Sequence, residues 1–336
     1  MPSLSDLPAE ILMEIVSYYP QLIHGVPTGD RFMRDKPLQA EPSNFRALEG
    51  VDESFVGNQT LRYLSQTSRR MRDIFLPMLW ARFHACFTRY NWPRRKIKTR
   101  AKMLERRMKG IQKTPYILPY IRTLTITLQE CSMGNWQPMA EFIRVLDLLP
   151  NLKDLTILRV PSEMVAVLST SCRGKVFPSV SQLALDNSLA PIMPCFPNIQ
   201  TLTFIWPACI DVLVAVKDYC QSIHTINNFL LSPEVVKCLR DVIPNVKQIS
   251  LWSYHGLSQD KLCLLESMEA LSELRIHHRP LYTYASQYLP PLSQEIVAAA
   301  KRVLGTSKAV GRKTLCFHEL TNEGTKETVI TVGGNM

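Results

Sequence analysis

One short phrase recurs along the last two thirds of the chain, and it limits the fold more than any other feature of the sequence. Its clear copies are LPYIRTLTI at 118, LPNLKDLTI at 149, FPSVSQLAL at 177 and FPNIQTLTF at 196, and its weaker copies are CQSIHTINN at 220, IPNVKQISL at 243 and MEALSELRI at 268. The equivalent positions are Leu124, Leu155, Leu183, Leu202, Ile226, Ile249 and Leu274, which span 150 residues in six steps, a mean of 25. This period predicts one strand and one helix per step, with parallel strands.

The stretches between the phrases have the apolar spacing of helices. Predicted helices cover residues 139–149, 210–220 and 232–243, and an amphipathic helix covers 292–305. Beyond it, KTLCFHEL and ETVITVGG are expected to form two strands or ragged ends that cap the last repeat. The alternative is an ordinary parallel α/β sheet in which each strand follows a proline by chance. Seven copies of one phrase argue against that alternative.

The N-terminal segment LPAEILMEIVSYYP, residues 7–20, has the pattern of an apolar helix. Ser5 and Asp6 suit its N-cap and Pro8 suits its first turn. The residues that recur on one helical face are Leu7, Ile11, Leu12, Ile15, Val16 and Tyr19. Because a helix of about a dozen residues is not stable alone, other residues must cover this face.

A second apolar segment, residues 59–87, predicts the partner helices. Its apolar face carries Leu61, Leu64, Met71, Ile74 and Phe75. Pro77 is expected to end this helix and to start another that carries Leu79, Trp80 and Phe83. Residues 20–57, rich in proline and glycine, are expected to form an irregular surface loop. These helices predict a small bundle that shares its core with another chain.

LPAEILMEIV followed by LRYLSQTSRRMRDIFLPMLW resembles an F-box, over about a quarter of the chain. The resemblance implies that the chain binds the adaptor Skp1, and through it a cullin, as a non-catalytic subunit of a ubiquitin ligase. The residues implied in Skp1 binding are Leu7, Pro8, Ile11, Leu12, Ile15, Leu64, Met71, Leu79 and Trp80. The segment 20–57 departs from the family pattern, because a compact F-box joins its first helices within a few residues.

The repeated phrase resembles the leucine-rich repeats of F-box proteins, especially the irregular ones common in fungi, over roughly residues 118–280. The resemblance implies an α/β fold, a leucine-rich-repeat horseshoe with parallel strands on its concave face, preceded by a small all-α F-box bundle. The expected domains are an F-box domain at 1–90 with its insertion at 20–57, a basic helical linker at 91–115, a repeat domain with a C-terminal cap at 116–320, and a flexible tail at 321–336.

Alternation along the strands predicts which residues face a partner. The leucines of each L-x-L point inward, so the residues between them face the concave side. The early strands carry small neutral residues there, whereas the later strands carry larger ones, and aromatic and arginine side chains are common anchors of interfaces. The residues predicted to bind a target protein are Phe229, Ser250, Trp252, Arg275 and His277. Burial of Trp252 beneath a neighbouring loop is the alternative.

The positive charge of the chain is concentrated in one segment. The net charge is +10, and residues 94–109, RRKIKTRAKMLERRMK, hold nine Lys or Arg and one Glu. Three interpretations stay open: a solvated helix face or linker, a nuclear import signal, and a contact with nucleic acid or an acidic protein. The alternative function is therefore a repeat scaffold without a ligase role that binds protein, or nucleic acid through 94–109.

The sequence contains no motif that indicates catalysis, a cofactor or a metal. It lacks H-E-x-x-H and G-x-S-x-G, and its nine cysteines include no C-x-x-C pair. His277 and His278 are adjacent on a predicted strand, so they point to opposite faces. No apolar run is long enough for a membrane span. We expect no enzyme activity, no cofactor, no membrane association, and a location in the cytoplasm, the nucleus or both.

Overall fold

A computed structural model describes residues 7–17, 49–85, 98–128, 131–205, 209–229, 231–252, 257–278, 293–321 and 324–332. The fold is mixed α/β, and its strands are mostly parallel. The chain divides into two compact units, Met1–Met164 and Val165–Met336. No helix of the described ranges combines the length and the apolar character that crossing a bilayer requires.

The first unit holds five helices and three strands in its described residues. The helices are α1 (Ala9–Ser17), α2 (Glu49–Thr67), α3 (Arg69–Ala81), α4 (Lys98–Gln112) and α5 (Gln137–Asp147), with a 3-10 helix at Pro115–Tyr120. The strands β1 (Arg82–His84), β2 (Thr123–Thr127) and β3 (Asp154–Leu158) pair in parallel in that order. The helix α6 (Ser162–Cys172) contains the division between the units.

The second unit continues the alternation of strands and helices. Its strands are β4 (Gln182–Leu185), β5 (Thr201–Phe204), β6 (Thr225–Asn227), β7 (Gln248–Trp252), β8 (Glu273–His278), β9 (Lys313–Thr321) and β10 (Gly324–Val332). Its helices are α7 (Ile210–Tyr219), α8 (Pro233–Val242), α9 (Gln259–Cys263) and α10 (Gln294–Thr306), with 3-10 helices at Asn187–Cys195 and Leu264–Ser267. Strands β4 to β9 pair in parallel in chain order, and β10 returns antiparallel to β9.

The predicted repeat is confirmed at the level of strand register. Leu124 is opposite Leu155 in the first unit. In the second unit the aligned positions are Leu183, Leu202, Ile226, Ile249 and Leu274, each opposite the next. All seven side chains are buried. The predicted helices at 139–149, 210–220, 232–243 and 292–305 are confirmed as α5, α7, α8 and α10.

Two expectations about the partner helices are wrong. The break between them lies at Ser68, whose hydroxyl caps α3 by accepting a hydrogen bond from the Met71 N–H at 3.2 Å. Pro77 lies inside α3, and the chain leaves the helix at Arg82 to form β1. The missing hydrogen bond at Pro77 costs about 3 kcal/mol in a helix interior. Burial of Met71 and Phe75 on the same helix offsets that cost.

Parts of two segments that were expected to be irregular form regular secondary structure. Residues 49–57, expected in the surface loop, belong to α2, while residues 20–48 lie outside the described residues. Residues 324–332, expected in a flexible tail, form β10, whose nine residues pair with β9 from Gly324 opposite Thr321 to Val332 opposite Lys313. Alternating Thr and Val residues favour such a strand.

Candidate functional site

The N-terminal helices form a small core, and α1 exposes apolar residues on the side that faces away from this core. Leu12 of α1 is 2% exposed and packs with Leu61, Met71 and Phe75 of α2 and α3. On the same helix, Ile11 and Ile15 are 41% and 39% exposed, and Pro8 is exposed as well. These three residues follow the i, i+3, i+7 spacing of one helical face. Helix α1 therefore packs against the core through Leu12, and the adjacent face of the helix is exposed to solvent.

The other residues predicted to bind Skp1 divide in the same way. Met71 and Leu12 are interior residues of the small core, so they support the helices and do not reach a partner directly. Leu7, Leu64 and Leu79 are partly buried against that core. Trp80 is half-buried, and its ring stacks on Phe83 with centroids 6.0 Å apart. Pro8, Ile11 and Ile15 form the most exposed part of the predicted docking surface, and we call these three residues the α1 face.

The strands of the second unit present a polar surface in register. One row, set by the strand pairing, consists of Ala184, Thr203, Asn227, Ser250, Arg275 and Cys316. The row two residues earlier consists of Gln182, Thr201, Thr225, Gln248, Glu273 and Thr314. We call these two rows the polar strand face. Because alternate residues of a strand share a face, the buried leucines between the rows lie on the opposite side.

Hydrogen bonds between neighbouring strands hold these side chains in place. The Asn227 side-chain amide donates to the Thr203 hydroxyl at 3.1 Å, and the Thr225 hydroxyl donates to the side-chain amide oxygen of Gln248 at 3.4 Å. The Arg275 guanidinium lies 2.5 Å from a Glu273 carboxylate oxygen on the same strand. Six polar side chains are therefore positioned by one another, through two contacts between neighbouring strands and one within β8, which lowers the entropy they lose on binding a partner.

A buried cluster of imidazoles lies at one end of the polar strand face. Ser250 Oγ and His277 Nε2 share a hydrogen bond of 2.8 Å. The ring of His277 stacks on that of His318 with centroids 4.7 Å apart and planes 14° apart. His318 Nε2 is 3.8 Å from a carboxylate oxygen of Glu327 on β10. Ser250 and His277 are both buried at this end of the face.

Three residues predicted to bind a target are not accessible. Ser250 and His277 are buried in the imidazole cluster. Phe229 is buried because the strand ends at Asn227 and Asn228 has a left-handed backbone, with φ of 60°, so the alternation does not extend to Phe229. Arg275 has 40% of its side chain exposed and stays available to a partner. The side chain of Trp252 lies outside the described residues.

Sequence analysis did not single out His318 and Glu327. They belong to β9 and β10, the segments that were expected to form either two strands or ragged ends. The alternation of KTLCFHEL was a usable signal, because Leu315 and Phe317 are buried opposite Leu274 and Ile276. That register places His318 opposite His277, on the same face.

Among the residues that the structure describes, neither a metal site nor a disulfide is present. No group of three or more His, Cys, Asp or Glu side chains in these ranges is arranged to hold a metal ion. The cysteines described there form no disulfide. Burial raises the pKa of the Cys209 and Cys220 thiols to about 12, so neither is a thiolate at neutral pH.

Comparison with known proteins does not assign the chain to a family. No model of a known protein family matches the sequence, and no curated protein matches it at a significant level of similarity. The class of protein is therefore defined by the structure alone: a mixed α/β chain built from repeated strand and helix steps, with a helical N-terminal segment that exposes apolar residues.

Proposed function

We propose that this protein is a substrate-recognition subunit of a Skp1-cullin-F-box ubiquitin ligase, and that it has no catalytic activity of its own. In this proposal the helices α1 to α3 form the F-box that binds Skp1. The strand and helix steps form a leucine-rich-repeat domain that binds a target protein. The ligase then works by proximity, because holding target and ubiquitin-charged enzyme in one complex raises their effective concentration.

The α1 face carries the proposal for Skp1 binding. Ile11 and Ile15 expose about 40% of their surfaces although their neighbour Leu12 is buried. Isolated exposed apolar residues are ordinary on protein surfaces, but these two share one helical face with Pro8 and match the F-box motif in sequence. A partner that covers this face completes the burial that the short helix lacks.

The polar strand face supports target binding through a different kind of contact. Its accessible residues are amides, hydroxyls and one ion pair, led by Asn227, Gln248 and Arg275. Arginine is over-represented among the residues that dominate binding energy, and its planar guanidinium suits bidentate contacts with carboxylates. We therefore expect a polar target segment with an acidic residue near Arg275.

The test is co-expression with Skp1, followed by a titration of the purified chain with Skp1 in a calorimeter. The docking variant is Ile11→Ala with Ile15→Ala, because alanine preserves the helix and shortens two side chains that are partly exposed. Fully burying an isoleucine stabilises by about 1.5 to 3 kcal/mol, so covering the remaining 40% is worth about 0.6 to 1.2 kcal/mol per residue. Both substitutions together should weaken binding about ten- to fifty-fold.

The matched control is Met13→Ala with Tyr63→Ala. Both residues are at least as exposed as the two isoleucines but lie off the α1 face, on α1 and α2 respectively. Their replacement should leave the affinity for Skp1 unchanged. No binding by the unaltered chain would refute the ligase proposal, and equal losses in both variants would refute the assignment of the α1 face.

A further inference from the structure

The structure separates the basic residues of α4 into those that pack inside the first unit and those that face solvent. Ala101, Leu104, Met108 and Ile111 are buried at three- and four-residue spacing. From residue 101 onward, where side chains are described, the exposed cations are Lys102, Arg106, Lys109 and Lys113, which we call the cationic stripe. The Lys113 N–H donates to the Lys109 carbonyl oxygen at 3.2 Å, so the helical path continues through Lys113.

The cationic stripe follows one face of the helix. Its residues are separated by four, three and four positions, the spacing that places side chains above one another. At 1.5 Å per residue the stripe spans about 16 Å, with one cation for about every 5 Å of helix. Arg107, which the sequence counts with this basic run, donates to the His84 carbonyl oxygen at 2.5 Å and so is turned toward β1.

Among the residues that the structure describes, few acidic groups neutralise the cationic stripe. Lys109 Nζ lies 2.5 Å from a Glu105 carboxylate oxygen, and this hydrogen bond raises the pKa of Lys109. On α5, the Glu141 carboxylate also acts on Lys109 through its charge, but its ion pair is with Arg144 at 2.7 Å. The stripe holds four cations against one directly paired acid, so it attracts anions.

We propose that the cationic stripe binds the phosphate backbone of a single-stranded nucleic acid. Regularly spaced cations on a rigid helix suit a chain of regularly spaced phosphates. Tyr116 lies three residues beyond the stripe, in the 3-10 helix Pro115–Tyr120, and is 63% exposed. An exposed aromatic ring at the end of a basic groove or stripe gives an unpaired base a surface for stacking.

Two other anionic partners fit the surface less well. A helix that lies on a membrane needs an apolar face to enter the lipid, and the apolar face of α4 is buried inside the protein. An acidic peptide would use the four cations but gains nothing specific from Tyr116. A nucleic acid uses both features, and its binding has a measurable salt dependence.

The experiment measures fluorescence anisotropy of a labelled single strand of about 20 nucleotides with the full chain, in DNA and RNA forms. For single strands, each neutralised phosphate contributes about 0.7 to the slope of log affinity against log salt, so four cations contribute about 2.8. That slope corresponds to an affinity about 50-fold weaker at 200 mM than at 50 mM salt.

The test variant replaces Lys102, Arg106, Lys109 and Lys113 with Gln, a residue of similar helix propensity. It should lose about 2.8 from the salt slope. The matched control replaces four exposed cations of the second unit with Gln: Arg173, Lys217, Lys237 and Lys247. It removes the same net charge and should retain the slope. Equal losses in the two variants would show attraction by net charge alone and would overturn the assignment.

Two single substitutions keep the test decisive if the four-residue variant folds poorly. Glu105→Gln removes the acid paired with Lys109 and should strengthen binding of the single strand, a gain that misfolding cannot produce. Tyr116→Ala should weaken binding about five- to a hundred-fold without changing the salt slope. If polyglutamate competes as well as the single strand does, or if Tyr116→Ala has no effect, the partner is not a nucleic acid and the proposal fails.

Discussion

The carboxylate of Glu141 links α5 to α4, and its replacement by Gln tests how that link is built. Glu141 is 3% exposed. Its oxygens accept hydrogen bonds from the side chains of Gln112 at 2.8 Å, Gln137 at 2.8 Å and Arg144 at 2.7 Å. Because Gln112 belongs to α4, the Glu141 carboxylate connects α5 to α4, the helix that carries the cationic stripe.

The expected cost of Glu141→Gln follows from these contacts. A hydrogen bond to a charged group is worth about 1 kcal/mol more than one between neutral groups, so the two glutamine contacts should lose about 2 kcal/mol together. Rotation of the Gln112 amide can restore one neutral bond, which gives a lower limit of about 1 kcal/mol. Arg144 is mostly exposed, so its ion pair adds little.

The assay is hydrogen exchange of peptides from α4 and α5, because it reports local stability in a chain of two units. A loss of about 1 to 2 kcal/mol should make their protected amides exchange roughly five- to thirty-fold faster at neutral pH. The matched control is Glu105→Gln on α4, whose surface ion pair with Lys109 is worth less than about 1 kcal/mol. Equal effects of the two substitutions would refute the special role of Glu141.

The same substitution predicts a dependence on pH. Burial alone raises the pKa of Glu141, but the hydrogen bonds from Gln112 and Gln137 and the charge of Arg144 outweigh it, so the pKa lies below its ordinary value. Because the pKa of Glu141 is lower in the folded state, its ionised carboxylate stabilises the protein at pH values above the unfolded pKa of about 4.3. This stabilisation is lost as the pH falls through the folded pKa. In urea unfolding, the difference between wild type and variant should be constant near neutral pH and shrink below about pH 4. A difference that is independent of pH would contradict the charged state of Glu141.

Three further predictions concern buried groups. Leu12→Ala should lower the stability of the N-terminal helices by about 2 to 5 kcal/mol, whereas Met13→Ala should change it by less than about 0.5 kcal/mol; hydrogen exchange of their peptides compares the two. Asn228→Ala should cost about 1 to 2 kcal/mol more than Asn228→Gly, because φ is 60° there; urea unfolding in which the alanine variant is as stable as the glycine variant would refute the left-handed backbone. Cys209 and Cys220 should resist iodoacetamide at mildly alkaline pH until the protein unfolds, since burial raises the pKa of each thiol to about 12; mass spectrometry showing rapid labelling of the native chain would count against this.

The sequence predicted the repeated strands well because each one carries its own pattern. The repeated phrase aligns the positions from Leu124 to Leu274, and the strand register pairs them within each unit. Local chemistry also explains where local prediction failed. Pro77 looked like a helix end, but burial of Met71 and Phe75 stabilises the helix that contains it.

The candidate site was predicted less completely because it depends on side chains that come from distant parts of the sequence. Alternation placed Ser250 and His277 on the correct strand face, since that face is a property of each strand. It could not show that His318 would stack on His277, or that His277 would hydrogen-bond Ser250. Likewise, the charge of residues 94–109 was visible in the sequence, but the helix packing decided which cations face solvent.

The sequence by itself determined the alternation of strands and helices, the buried face of each strand and the apolar character of the N-terminal helix, because these follow from periodicity within a few residues. Only the tertiary structure decided that Leu12 is interior while Ile11 and Ile15 remain exposed, and that Phe229 is buried past a left-handed residue. Exposure is set by what other elements cover, and that information is distributed over the whole chain.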